Sequence, residues 1–218
     1  MPSILPPYPF PWDPATATVP KDANPAPRQI RYYYFAYGSN LWLEQMHHRC
    51  PQYSYIGRGV LRGYNWVISK RGYANVIVSG DETEEEDPEE LDTYGVVYTL
   101  TKSDMAVLDM YEGVDIKPVP AYVKVTMDIE MYEKGEGAEL PCLVYVDPRT
   151  ELGKVHEEYI GRINRGLEDA GLPETWVEKV IRKWIPKGVG VEELEEKSES
   201  EIEEKDVGER KDVGIKEV

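Results

Sequence analysis

Ten residues, Tyr32-Tyr33-Tyr34-Phe35-Ala36-Tyr37-Gly38-Ser39-Asn40-Leu41, set the terms for the rest of this chain. Aromatic and small residues with strong strand propensity run to Tyr37 and stop abruptly at Gly-Ser-Asn. A helical pattern comes next (Leu41, Leu43, Glu44, Gln45, Met46) and carries on to about Arg49. This reads as a buried strand emptying into a polar loop at a helix N-terminus. Free N–H groups and the positive end of a helix dipole would suit an anionic ligand group there. Taken locally, Gly38-Ser39-Asn40 is equally well read as a plain turn.

Strand patterns dominate the chain beyond Arg49. Tyr55–Lys70 reads as strand with a turn near Gly63, Ala74–Ser79 as a short strand, and Thr93–Leu100 as another. Thr101–Tyr111 reads as a short helix. In Tyr122–Glu133, Val123, Val125, Met127, Ile129 and Met131 alternate with polar residues, which predicts one buried and one wet face. A Gly135–Gly137 turn would join it to Leu140–Asp147 as an antiparallel hairpin. Two helices close the body. The first carries Val155, Tyr159, Ile160, Ile163 and Leu167 on one face and ends at Gly171. The second starts at Pro173, places Trp176, Val177, Val180, Ile181 and Trp184 on a stripe, and stops at Pro186. Strands that are not regularly interleaved with helices favour an α+β fold around a mostly antiparallel, strongly curved sheet.

At 218 residues the chain has room for one sizeable domain with tails, and its charge is unevenly spread. Of the formal net −16, residues 81–92 hold nine acids and no base, and residues 187–218 hold twelve acids against six bases. The acidity thus belongs to an inserted loop and a tail, which read as solvated segments, and the remaining body is close to neutral. Nine prolines within residues 1–29 exclude a regular helix or central strand and leave an extended arm or disorder. The expected organisation is an arm at 1–29, a domain at 30–186 carrying the 81–92 insertion, and a tail at 187–218. No basic stripe points to nucleic acid, and no apolar run reaches the ~20 residues of a membrane helix. Two cysteines without motif spacing and no secretory pattern in the arm fit a soluble protein of a reducing compartment, the cytoplasm.

Candidate chemistry narrows by exclusion. Three histidines, His47, His48 and His156, have no partners at metal-ligand spacing, so no metal is expected. Nucleophile elbows, phosphate loops and dinucleotide fingerprints are missing. A carboxylate remains. At helical spacing Met105, Leu108 and Glu112 share a face, while Asp104 and Asp109 fall off it. Glu112 would then continue an apolar stripe at a helix C-terminus. Desolvation and the negative dipole end there both raise a carboxyl pKa, as a general base requires. A solvated glutamate at a frayed helix end is the other reading of the same spacing.

Taken in order, six segments resemble the γ-glutamylcyclotransferase family. They are Tyr34-Phe35-Ala36-Tyr37-Gly38-Ser39-Asn40-Leu41, Gly95-Val96-Val97-Tyr98, Leu108-Asp109-Met110-Tyr111-Glu112-Gly113-Val114, Tyr122-Val123, Cys142-Leu143-Val144-Tyr145 and Gly171-Leu172-Pro173. The resemblance spans roughly residues 30–186. It implies a small, mixed, mostly antiparallel closed β-barrel with flanking helices, and an activity that needs no cofactor. That activity converts a γ-glutamyl amino acid to 5-oxoproline and a free amino acid. It also implies that residues 34–40 hold the γ-glutamyl moiety, largely through backbone groups. Glu112 would be the general acid/base, Tyr122 and Tyr145 would line the pocket, and the protein would be a homodimer. Asn40 resembles the γ-glutamyl amino acid branch, since other branches typically carry Leu there. The chain departs from the family in its arm, insertion and tail, and at Tyr73-Ala74-Asn75 on the acceptor side of the pocket. Two rival functions stand beside the enzyme: a barrel that binds γ-glutamyl metabolites without turnover, and a cyclotransferase for a different γ-glutamyl amine.

Overall fold

The aromatic run forms the strand it predicts. In the computed structural model, β1 (Arg31–Ala36) pairs antiparallel along its whole length with β5 (Thr93–Thr101), placing Tyr34 opposite Tyr98. Tyr34, Phe35 and Ala36 are all buried, so both faces of the second half of β1 are covered. The structure describes residues 31–80, 88–132 and 138–188. The expectations for the proline-rich arm, for 81–87 of the insertion, for the Gly135–Gly137 turn and for the tail from residue 189 lie outside the described residues.

The remaining strands are β2 (Ser54–Leu61), β3 (Tyr64–Ile68), β4 (Ala74–Val78), β6 (Val123–Met131) and β7 (Glu139–Val146). Five of the seven close a barrel in the order β1-β5-β2-β6-β7, and β3 and β4 form a separate hairpin. All barrel pairs are antiparallel except the one that shuts it, where β1 meets β7 in parallel at Tyr34 and Leu143. Closure leaves no sheet edge and encloses a core that includes Phe35, Tyr98, Leu100, Ile129 and Met131. The expected α+β barrel with flanking helices is therefore the fold observed. The helices are α1 (Leu43–Arg49), α2 (Lys102–Tyr111), α3 (Glu157–Ala170) and α4 (Glu174–Lys179). Among the described residues no helix is long and apolar enough to cross a membrane.

Three elements differ from expectation, the first being α3, which begins at Glu157 and leaves Val155 ahead of the helix. The apolar face of β6 is buried only in its second half. Ile129 and Met131 are inside, whereas Val125 is 36% exposed, because β6 meets β2 only at Glu130 and Met131 and its first half projects beyond that contact. The last helix is shorter than its stripe. α4 ends at Lys179, and a 3₁₀ turn at Ile181–Lys183 takes over. The β-branched pair Val180-Ile181 is a poor α-helix former, and the tighter winding still buries Val180, Ile181 and Ile185. At the end of α3, Gly171 adopts the left-handed conformation (φ 55°) expected of a C-terminal cap.

Candidate active site

The loop after β1 is drawn inward by hydrogen bonds rather than left open. Tyr37 O accepts from Trp66 Nε1 (2.8 Å), and Ser39–Leu41 wind into a 3₁₀ turn before α1. Gly38 is needed for close approach, since a Cβ there would come within 2.7 Å of the Tyr159 hydroxyl. That hydroxyl accepts from Ser39 N–H (3.2 Å). The N–H groups of Leu41 and Trp42 are spent on Gly38 and Ser39 carbonyls, and Leu43 N–H is capped by Asp169 (2.8 Å). The backbone donors that a helix N-terminus would offer an anion are thus largely used by the fold itself. Positive charge at the site comes instead from Arg49, Arg71 and Arg162.

Asn40 is the hub. Its amide is buried and fully paired. Nδ2 donates to the Tyr34 hydroxyl (2.8 Å) and to Glu112 Oε1 (3.1 Å), while Oδ1 accepts from Gln45 Nε2 (3.0 Å) and Arg49 Nη1 (2.9 Å). Because Gln45 Nε2 and Arg49 can only donate, the amide has one possible orientation. The Asn40 carbonyl also accepts from the Tyr98 hydroxyl (3.2 Å), so five bonds fix this residue.

Glu112 arrives from the opposite side. At the end of β5, Thr101 and Asp104 form a reciprocal capping box that starts α2, and Asp104 is buried by this role although it lies off the helix's apolar stripe. At the other end of α2 Glu112 caps the helix, its N–H donating to Leu108 O (2.9 Å), with Leu108 fully buried beneath it. The Glu112 side chain is only 15% exposed and lies 3.5 Å from Arg49 Nη1. Burial raises its pKa above the ordinary carboxylate value, and Arg49, the Asn40 amide, Arg71 and Arg162 oppose that rise.

These groups face a cavity of about 220 Å³. Of the residues expected to bind a ligand, Tyr34, Phe35, Tyr37, Gly38, Ser39, Asn40, Tyr122 and Tyr145 line it together with Glu112. Ala36 is buried within β1 opposite Val96 and is not part of the wall. The tyrosines divide by the use of their protons. Tyr37 donates to Tyr145 O (2.5 Å), Tyr122 to Ala74 O (2.9 Å) and Tyr145 to Asp109 (2.7 Å), so these three shape the wall. Tyr34 and Tyr159 accept from Asn40 and Ser39, and among the described residues neither has an acceptor for its own proton. Burial holds both phenols above their ordinary pKa, so each stays neutral and able to donate to a bound oxyanion.

Tyr73 and Ala74 of the Tyr73-Ala74-Asn75 departure do line the cavity, whereas sequence reasoning missed Arg49, Arg71, Tyr111, Tyr159 and Arg162. Tyr159 belonged to an apolar helical face and gave no separate signal. The arginines come from three distant segments that only folding brings together. Among the described residues no group of three His, Cys, Asp or Glu side chains is arranged to hold a metal. Burial pushes the Cys50 and Cys142 thiols up to about 12, which suits inert core residues rather than nucleophiles.

A closed barrel with a cavity of about 220 Å³, walled by tyrosines and holding one nearly buried glutamate, has the form of a small-molecule site. Residues 34–161 match the family described as gamma-glutamyl cyclotransferase, AIG2-like, and the chain belongs to that family. It is 30% identical over 160 residues to the gamma-glutamylcyclotransferase of Mus musculus, covering 68% of this chain and 77% of the relative. To the Homo sapiens gamma-glutamylcyclotransferase it is 27% identical over 165 residues, covering 71% and 79%. Among solved structures, one described as gamma-glutamyl cyclotransferase superposes with a TM-score of 0.57 at 26% identity, covering 69% of this chain and 86% of that one. YkqA from Bacillus subtilis gives 0.54 at 27% identity, covering 72% and 56%.

Proposed function

We propose that this protein is a γ-glutamylcyclotransferase that releases 5-oxoproline and a free amino acid from γ-glutamyl amino acids, with Glu112 as general acid/base. The observation that carries the reading is the Glu112 carboxylate itself. It is nearly buried, its pKa is raised, and it is held by Asn40 at the wall of a cavity formed by the loop after β1.

The chemistry asks little more of the protein. The substrate brings its own nucleophile, because its α-amino group can close a five-membered ring on the γ-carbonyl. Intramolecular attack of this kind reaches effective molarities up to ~10⁵–10⁸ M in favourable cases. Glu112 takes a proton from the α-ammonium, freeing the amine to attack. The tetrahedral oxyanion is met by neutral O–H donors, for which Tyr34 and Tyr159 are placed at the cavity. Glu112 then returns its proton to the departing amine as the C–N bond breaks, and the ring nitrogen gives up its second proton through Glu112 to the released amine, leaving the lactam N–H and an ammonium. Arg49 and Asn40 stabilise the carboxylate form between these transfers.

Glu112→Gln keeps the volume and the bond from Asn40 but cannot carry the proton. It should fold normally and release no measurable 5-oxoproline from γ-glutamyl-alanine. Near-native turnover by this variant would sink the mechanism.

A further inference from the structure

Three guanidinium groups line the cavity, and their charges are not equally answered. Arg49 faces Glu112 at 3.5 Å and also serves Asn40. Arg162 pairs with Glu158 one turn earlier on α3. Arg71 is different. Its nearest acid is Asp147, at 3.5 Å, and the same Asp147 is held more tightly by Arg149, at 2.7 Å. One buried carboxylate thus lies between two guanidinium groups, leaving one positive charge over. Arg71 presents that charge to the cavity.

The surroundings hold Arg71 in place. It sits in the tight turn between β3 and β4, where Gly72 takes a positive φ (81°), Gly72 N–H returns to Ser69 O and Lys70 N–H is bonded to Glu151 O. Its Nη1 donates to Ala121 O (3.0 Å), and the guanidinium lies against the Tyr73 and Tyr122 rings. The backing acid is fixed too. Fully buried Asn75 donates to the Asp147 and Arg149 carbonyls and accepts from Asp147 N–H. Among the described residues Nε and Nη2 of Arg71 have no hydrogen-bond partner, so one edge of the fork is open. The Arg71 side chain is 29% exposed and Glu112 only 15%, so Arg71 stands nearer the mouth.

We propose that Arg71 binds the carboxylate of the departing amino acid, making the site selective for γ-glutamyl α-amino acids over γ-glutamyl amines that lack that group. This rests on the cyclotransferase reading above. The glutamyl half must lie against Glu112 for its amine to be deprotonated, so the leaving half extends toward the mouth. A γ-glutamyl amino acid carries a second carboxylate there, and an arginine with an open fork and an unanswered charge matches it bidentately. Arg49, already committed to Glu112, offers no comparable surplus.

The test compares γ-glutamyl-alanine with γ-glutamyl-ethylamide, which replaces the alanine carboxylate by hydrogen. The native protein should favour the dipeptide in kcat/KM by roughly 10- to 100-fold, the range for a hydrogen bond to a charged group. In Arg71→Met that ratio should collapse toward one, and Arg71→Lys should lie between, keeping the charge but losing the fork. A native ratio near one, or an equal loss on both substrates in Arg71→Met, overturns the proposal; the equal loss would place Arg71 on the glutamyl half. Should Arg71→Met not fold, the native ratio and Arg71→Lys still decide. Calorimetric titration of Glu112→Gln with both compounds separates this proposal from the one it rests on. Tighter binding of the dipeptide supports the Arg71 contact even if no 5-oxoproline is ever formed. Equal binding removes the contact even if turnover is rapid.

Discussion

At the scale of single residues, the site is a contest over one proton. Burial pulls Glu112 toward its neutral form, while Arg49 and Asn40 pull it toward the carboxylate, and burial prevails. The base proposed above must be ionised to work, so kcat/KM for γ-glutamyl-alanine should fall with decreasing pH through a midpoint above the ordinary carboxylate value. Arg49→Met removes the strongest opposing influence, and the acid limb should then move to higher pH. A profile whose limb does not move, or moves to lower pH, would contradict this account. The same shift bears on stability. The folded state holds this proton more tightly than the unfolded chain does. Glu112 therefore stabilises the fold below the ordinary carboxylate range, and that contribution is lost as pH rises through its raised pKa. Asn40 links this balance to the loop, because one buried amide bonds Tyr34, Gln45, Arg49 and Glu112 together.

At the scale of elements, α3 is what holds the loop after β1 in shape. Tyr159 on α3 takes the Ser39 N–H, and Asp169 on the same helix caps α1 at Leu43. Between them, Gly166 lets the helix touch the chain directly. A Cβ at Gly166 would lie 2.8 Å from Leu41 Cβ and 2.9 Å from Trp42 N. Helix propensity alone makes Gly→Ala worth about 1 kcal/mol of added stability. Here the contact should win, since overpacking a tight site costs about 1–3 kcal/mol. Gly166→Ala should therefore lower the urea midpoint and also weaken turnover by displacing residues 39–41. A raised midpoint with native activity would show that the α3 contact is loose. α2 has the complementary task. Its Thr101–Asp104 box fixes where the helix begins, and its length then delivers Glu112 to the cavity.

At the scale of the whole molecule, charge is unevenly spread along the sequence. The tail from residue 189 onward carries twelve acids against five bases, and among the described residues the cavity is lined from the barrel, α1, α2, α3 and the β3–β4 turn. We propose that the tail sets net charge and solubility rather than turnover. A chain ending at Gly188 should therefore keep turnover of γ-glutamyl-alanine within assay scatter of the full chain while precipitating more readily near neutral pH. A large loss of turnover would tie the tail to the site.

Periodicity determined a good deal by itself. Alternation marked the strands, the Met105–Leu108–Glu112 spacing made one carboxylate a candidate for an inward face beside a solvated reading, and Gly171 and Pro173 marked where one helix ends and the next begins. These are local properties, written in neighbouring residues, and they hold wherever the segment is packed. The curved sheet could be argued from the order of elements, but the closed barrel and the meeting of the residue 34–40 loop with Glu112 came through the ordered family motifs, and the Asn40–Glu112 bond itself only through the structure. Tertiary structure alone decided the rest. It set how far β6 is covered and turned α4 into a 3₁₀ ending. It spent the backbone donors of the Gly38–Leu43 loop on Tyr159, Asp169 and the loop's own carbonyls. It also brought Arg49, Arg71 and Arg162 from three distant segments to one cavity and left Asp147 shared between two arginines. Charges that meet across tens of residues obey distance in space, and sequence spacing does not encode that distance.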